Sequence, residues 1–279
     1  MARSVSSWLS VSWFLVTSTD HTVTRAWPAC ALGGWSAAWH AGRCSPDDVA
    51  DTLATFADRH IIDDLTDQSR ADGDGVLGIL AILRGVTAMS VRLPSAGDPH
   101  GLPPGRVTSA AFAAGEALLV DDGNSLGPLA LVPALDGDVC RWTVDRYADP
   151  LPADPSAPVG EIEYQLRQSV SEAASLATRV GSRAGNPPAD LRGSVRALTL
   201  RNQVDLPPHD DTRASRVIDT AAQIEAIVTV AGAGDVTFGA TSSELHSGDG
   251  ELRRLVTLAR AARGAAVNRV ISEFLPTIP

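Results

Sequence analysis

Ser125 is the first candidate for chemistry, because the sequence around it has the form Gly-x-Ser-x-Gly. In a nucleophile elbow this pattern makes a sharp turn from a strand into a helix and exposes the serine beside backbone N–H groups. A serine hydrolase would use Ser125 as nucleophile and His209 or His246 as base, with an intervening aspartate as the orienting group. Residues 129–132, however, indicate a strand rather than a helix, so a surface turn is the favoured interpretation.

The loop from Gly97 to Gly105 is the second candidate, with Asp98 and His100 inside it and Arg106 directly after it. It follows a predicted strand and leads into a predicted helix, which is the usual position for ligand contacts in α/β units. These three side chains are therefore our candidate ligand-binding residues, with a phosphate or a nucleotide as one possible ligand. The alternative is a connection rich in proline and glycine whose polar groups simply face water.

A third candidate is the last predicted helix, which is locally basic. Its arginines are Arg253, Arg254, Arg260, Arg263 and Arg269. Such a face could dock a partner or a nucleic acid, but it lacks interleaved aromatic residues and the chain carries a net charge of −10. An ordinary solvated helix face is therefore favoured, and we expect no nucleic-acid partner.

Composition excludes several enzyme classes, because all 23 basic residues are arginine. Without lysine there is no Walker A phosphate loop, no pyridoxal Schiff base and no Ser–Lys dyad. The cysteines, Cys30, Cys44 and Cys140, are too few for a disulfide framework and lack histidines at metal-ligand spacing. We expect buried free thiols, no metal and no cofactor.

Periodicity predicts an α+β or α/β fold, with a small mixed sheet in the first half and a bundle-like helical second half. The sheet contains a hairpin, because Asp136-Gly137 separates two alternating runs and both residues tolerate the positive φ of a tight turn. Cys140, Trp142 and Val144 would share one face of that hairpin.

Four prolines between Tyr147 and Pro158 mark the best domain boundary. We therefore expect a small α/β domain over residues 30–147, a Pro-rich linker over 148–158 and a helical domain over 159–275. Four amphipathic stripes support the helical assignment. The alternative is that these helices pack directly on the sheet as one domain.

Residues 1–29 are predicted to be an extension that is either disordered or upstream of the true start. Residues 8–16 are apolar, but serines interrupt them, Arg3 alone precedes them as a positive charge, and they are too short for a membrane span. We expect a cytoplasmic protein without a membrane partner, with secretion as the alternative. The first strong helix start is at Ser45, a capping residue followed by proline and two acids.

Several short motifs are shared with known sequences. They are Ala31-Leu32-Gly33-Gly34-Trp35 with Trp39, Ser45-Pro46-Asp47-Asp48, Val91-Arg92-Leu93-Pro94, Gly97-Asp98-Pro99 with Gly101-Leu102-Pro103, Ala113-Ala114-Gly115-Glu116-Ala117, Arg213-Ala214-Ser215-Arg216 and Leu258-Ala259-Arg260-Ala261-Ala262-Arg263. On these motifs the chain resembles a family of uncharacterised proteins from high-GC actinobacteria. The resemblance implies that the folded part begins near residue 30, and it transfers no activity, cofactor or site residue.

These observations leave two classes of function. The leading hypothesis is a non-enzymatic binding or regulatory protein that interacts through the Gly97–Arg106 loop or the last helix, with a protein partner or a second copy of the chain as possibilities. The alternative is a serine hydrolase that uses Ser125.

Overall fold

One mixed sheet organises the chain, as a computed structural model shows for residues 25–66, 75–148, 150, 160–171, 191–233 and 242–275. The strands are β1 (Arg59–Asp64), β2 (Ala88–Arg92), β3 (Ala117–Asp121), β4 (Leu129–Asp136) and β5 (Val139–Arg146). Their order is β1-β5-β4-β3-β2. The β1–β5 pairing is parallel and the other three are antiparallel.

Helices precede, interrupt and follow the sheet. They are α1 (Pro28–His40), α2 (Pro46–Ala54), α3 (Gly75–Leu83), α4 (Thr108–Ala114), α5 (residues 160–171), α6 (Leu191–Asn202), α7 (Thr212–Ala233) and α8 (Ser242–Phe274). The predicted α+β fold with a helical C-terminal half is confirmed. Residues 1–24, and most of the predicted linker, lie outside the described residues. None of the helices in the described ranges is both long and apolar enough to cross a membrane.

The two clearest local predictions are confirmed. Asp136 pairs with Val139 across a tight turn, and Cys140, Trp142 and Val144 are all buried in the main core. At Ser45 the side chain accepts a hydrogen bond from the Asp48 backbone while the Asp48 carboxylate accepts one from the Ser45 backbone, at 3.2 and 2.7 Å. This capping box satisfies two backbone groups that the first turn of α2 would otherwise leave unpaired.

Strand β1 was not predicted, because it lies in a run of acidic residues that does not alternate cleanly. A buried hydrogen bond between β1 and β5 holds this strand in place: His60 Nδ1 accepts it from Trp142 Nε1 at 3.0 Å. His60 Nε2 must then carry the proton, and it donates to the Leu53 carbonyl at 3.1 Å. Burial lowers the pKa of His60, which favours this neutral form.

The two faces of the sheet are covered unequally. Alternate residues of β3, such as Leu118 and Val120, face the main core together with α1, α7 and α8. On the other face Leu119 joins a smaller cluster with α4 and Tyr147. Residues from both halves of the chain thus contribute to the main core, on the first of these two faces. Cys30 and Cys140 are buried free thiols, as predicted, whereas the free thiol of Cys44 is half-buried.

Gly127 is held in a left-handed conformation, with φ +94°, where a Cβ atom would collide with the backbone carbonyl of Tyr147. Gly123 has a similar φ of +69° but open space around it. Replacing Gly123 with alanine should cost about 1–2 kcal/mol of unfolding free energy through backbone strain alone. We expect Gly127→Ala to cost about 1–3 kcal/mol more, measured by urea unfolding. Equal losses in the two variants would contradict the predicted clash.

Asn268 of α8 protects strand β2, which is an edge of the sheet. Its Oδ1 accepts a hydrogen bond from the Val91 N–H at 2.7 Å, and its Nδ2 donates to the Val91 carbonyl at 3.1 Å. Asn268→Asp should lower the unfolding free energy at pH 7 by about 3 kcal/mol, because two carboxylate oxygens cannot donate to that carbonyl. At pH 3.5 a protonated carboxyl can donate again, so urea unfolding should show a smaller loss. The same loss at both pH values would refute this assignment.

Candidate functional site

A cavity of about 600 Å³ lies between β2, the loop after β2, α5 and α8. Its ionisable lining residues are Arg92, Asp98, His100, Arg254 and Arg260. Its uncharged polar lining residues are Gln165, Gln168, Ser169, Thr257 and Asn268. The loop and the last helix, which the sequence offers as alternative interaction surfaces, therefore form two walls of the same cavity.

The loop wall is held in place by its own hydrogen bonds. Ser95 and Asp98 exchange backbone hydrogen bonds of 2.8 and 2.9 Å, and the Asp98 side chain accepts one from the His100 N–H at 2.9 Å. Arg92 Nε donates to the Gly101 carbonyl at 3.3 Å. His100 has a φ of +46°, an uncommon value for a residue with a Cβ atom, so these bonds hold a strained position beside the cavity.

His100 is adapted to remain neutral. Burial lowers the pKa of its imidazole, and the positive charge of Arg260 lowers it further, while Asp98 opposes the shift. Its Nε2 lies 3.8 Å from the Asp98 carboxylate, beyond hydrogen-bond distance, and has no hydrogen-bond partner in the described part of the chain. A neutral imidazole can donate one hydrogen bond and accept another, which suits a ligand with both kinds of group.

Arg260 joins the cavity wall to the interior. Its Nη1 donates a 2.7 Å hydrogen bond to the Pro94 carbonyl, which anchors the start of the loop to α8. On its inner side, Nε lies 3.8 Å from Glu225 of α7. Its guanidinium carbon also lies 5.4 Å from the centre of the Trp27 ring, within reach of a cation–π interaction.

On the inner side of the cavity wall lies a group of side chains that we call the buried charge cluster. It consists of four ionisable residues and the aromatic ring that two of them contact: Arg260, Arg263, Glu225, Glu116 and Trp27. Arg263 has no exposed surface and pairs with Glu225 at 2.6 Å. Its guanidinium carbon lies 4.2 Å from the centre of the Trp27 ring. A charge buried this deeply needs such partners, because leaving water costs several kcal/mol per ion.

Glu116 completes the cluster at the start of α1. It is 3% exposed, and its Oε2 accepts hydrogen bonds from the N–H groups of Ala29 and Cys30 at 3.1 and 3.2 Å. Burial raises the pKa of Glu116 to about 7, although these two hydrogen bonds and the charge of Arg263 favour the ionised form. Both protonation states are consequently accessible near neutral pH.

Arg106, the third predicted loop residue, is engaged elsewhere. Its Nε and Nη2 form a bidentate pair with the buried carboxylate of Asp145, at 2.9 and 2.7 Å, and Nη2 also donates to the Leu65 carbonyl at 2.6 Å. It does not line the cavity. The structure thus brings Asp98 and His100 together and separates Arg106 from them, because the nearby buried carboxylate needs a cation.

Ser125 lies on an exposed turn that leads directly into strand β4, which begins at Leu129. The helix that a nucleophile elbow needs is therefore not there. His209 Nε2 lies 3.4 Å from the hydroxyl of Ser215, and His246 belongs to α8 with its side chain outside the described residues. The described structure gives the serine-hydrolase hypothesis no local support.

Several residues of the cavity and of the buried charge cluster carry no signal of their own in the sequence. Gln165 and Gln168, which line the cavity from α5, belong to no motif, and Glu116 of the cluster stands out only within the family resemblance. A signal was present in α8, where one cavity-facing stripe recurs at helical spacing: Arg254, Thr257, Ala261, Gly264 and Asn268. It combines charged, small and amide side chains, so an apolar periodicity search does not find it.

Comparison with known proteins places the sheet and most of the helical part in one group. Residues 29–157 match the family described as Rv1486c-like protein, N-terminal domain, and residues 160–264 match its C-terminal domain. The uncharacterised protein Rv1486c of Mycobacterium tuberculosis is 31% identical over 293 residues, covering 89% of this chain and 99% of its own. The uncharacterised protein ML1804 of Mycobacterium leprae is 28% identical over 299 residues, covering 89% and 99%. No solved structure matches the chain.

These relatives are actinobacterial, so the resemblance inferred from the short motifs is confirmed. The matches extend through both the sheet and the helical part, and the chain belongs to the family of Rv1486c-like proteins.

Proposed function

We propose that this protein is a non-enzymatic binding protein for a small organic anion, held in the cavity between the β2–α4 loop, α5 and α8. One observation carries the proposal. The loop and the last helix, far apart in sequence, meet around one space whose ionisable lining residues are three arginines, a neutral histidine and one acid. Pockets of several hundred Å³ with a few convergent polar groups are the usual setting for small ligands.

The charge of the lining supports an anionic ligand. Although the chain as a whole carries −10, the lining has Arg92, Arg254 and Arg260 against Asp98 alone. A locally positive pocket in an acidic protein attracts small anions from solution. Arginine suits carboxylate and phosphate groups because its planar fork can donate two parallel hydrogen bonds.

Arg254 is best placed to contact the anionic group. Arg92 donates to the Gly101 and Val91 carbonyls, and Arg260 donates to the Pro94 carbonyl, so both hold the protein together as well as lining the space. Arg254 is exposed and has no ion-pair partner among the described residues. Its guanidinium can therefore turn to a ligand without breaking an internal bond.

The remaining lining offers apolar and amide contacts to the organic part of a ligand, beyond the charged contacts that any oxyanion can use. Leu93, Ile162 and Leu258 provide apolar surface beside the polar groups. Gln165 and Gln168 offer amide donors and acceptors from α5. We infer a ligand with an acidic group and a compact carbon skeleton, such as a carboxylate or a phosphate monoester.

The test compares two adjacent arginines on one helix. Thermal-shift screening of small carboxylates and phosphate monoesters should yield a stabilising ligand, and calorimetry then gives its affinity. Arg254→Gln should weaken that affinity about tenfold, because one charged hydrogen bond is lost. Arg253→Gln, a matched control on an exposed residue that does not line the cavity, should leave it unchanged.

Two results would refute the proposal. One is a complete absence of anion binding by a folded protein across the panel. The other is an equal loss of affinity in the Arg253→Gln and Arg254→Gln variants, which would mean that anions respond to the general charge of α8 and not to the cavity.

A further inference from the structure

The cavity and the buried charge cluster share one residue. Arg260 lines the cavity and also lies 3.8 Å from Glu225 and 5.4 Å from the centre of the Trp27 ring. An anion in the cavity and the charges inside the cluster therefore act on the same guanidinium. Because this region is largely removed from water, such charges influence one another more strongly than they would at the surface.

The charges of the cluster balance only when Glu116 is ionised. Arg260 and Arg263 bring two positive charges from α8, whereas Glu225 of α7 brings one negative charge. With Glu116 ionised the sum is zero, and with Glu116 protonated the cluster carries one positive charge. The protonated cluster is the one that attracts an anion toward Arg260.

The surroundings of Glu116 contain few other groups that could take its role. Arg260 reaches its neighbourhood from α8, where Nη1 donates to the carbonyl of the adjacent Gly115 at 3.5 Å. Arg263 of α8 and the thiols of Cys30 in α1 and Cys140 in β5 interact with Glu116 electrostatically. Burial raises the pKa of both thiols, so they stay protonated at neutral pH. Glu116 itself has two hydrogen-bond donors at the start of α1, Ala29 and Cys30, which can accommodate either charge state.

We infer that the cavity takes up its anion together with a proton, and that Glu116 is the group that receives this proton. The inference rests on the proposed function, since it specifies how binding at that same cavity is regulated. Thermodynamic reciprocity requires that, if protonating Glu116 favours the anion, then the anion favours protonation of Glu116. Affinity for anions must then fall as pH rises through neutrality.

The probe is sulfate, which does not change its charge between pH 6 and 8. Calorimetry of the full chain should give an affinity about fivefold higher at pH 6 than at pH 8, a coupling at the lower end of the usual range. At pH 7, titrations in two buffers of different ionisation enthalpy should report uptake of a fraction of one proton per sulfate.

Two variants identify the proton acceptor. Glu116→Gln imitates the protonated form, since its amide oxygen can accept the same two backbone hydrogen bonds, and its sulfate affinity should be independent of pH. His100→Gln removes the titratable group that lines the cavity beside Arg260 and should weaken sulfate binding, but each sulfate that binds should still take up its fraction of a proton at pH 7 if Glu116 is the acceptor.

The wild type also provides a measurement that does not depend on a variant folding. Carbon-13 labelling of glutamate should show one side-chain carboxyl that titrates near pH 7, and sulfate should move its midpoint upward. Sulfate binding without pH dependence, or proton uptake that survives in Glu116→Gln but disappears in His100→Gln, overturns the inference. If neither sulfate nor any organic anion binds at any pH, the proposed function itself is wrong, so the two failures are distinguishable.

Stability gives an independent check on Glu116. Its pKa in the folded chain, about 7, lies above its ordinary value of 4.5, so between these values the folded state binds more protons than the unfolded state. The contribution of this group to stability is therefore full below pH 4.5 and is lost as pH rises through 7. From pH 5 to pH 8 the urea concentration at the unfolding midpoint should decrease more for the wild type than for Glu116→Gln. Parallel pH curves of the two proteins would contradict the assignment.

Discussion

The burial of Arg263 is the constraint on which the rest of this structure depends. A guanidinium with no exposed surface needs compensating charge and hydrogen bonds, because an uncompensated ion in the interior costs several kcal/mol. Glu225 supplies the opposite charge, Trp27 supplies a ring face and the Asn202 carbonyl accepts a hydrogen bond at 3.3 Å. These partners lie beside α1 and on α7 and α6, so neutralising one charge requires four helical segments to meet at one point.

Once that point is fixed, α8 determines the cavity. Arg260, one turn before Arg263, is directed toward the loop and binds the Pro94 carbonyl, while Asn268 binds both backbone groups of Val91. The same helix thus brings the paired charges into the core, binds the edge strand β2 and forms one wall of the cavity. This sharing explains why a ligand in the cavity and a proton in the core can be coupled without any large movement of the chain.

The elements predicted correctly are those with a local cause. The hairpin at Asp136-Gly137 and the start of α2 at Ser45 result from turn and capping chemistry within a few residues. Strand β1 was missed because its stability comes from pairing with β5, including the His60–Trp142 hydrogen bond across 82 positions of sequence. Likewise, no local rule indicates that Arg106 pairs with Asp145.

The sequence alone determined the fold class, the helical second half, the family resemblance and the exclusion of lysine chemistry. It also identified Asp98, His100 and the arginines of the last helix as separate candidates. Only the tertiary structure decided that the loop and this helix enclose one cavity, that Arg106 belongs elsewhere, and that Glu116 lies beside buried arginines. The physical reason is range: periodicity and capping act within about one helical turn or a few strand residues, whereas a site depends on which distant surfaces pack together.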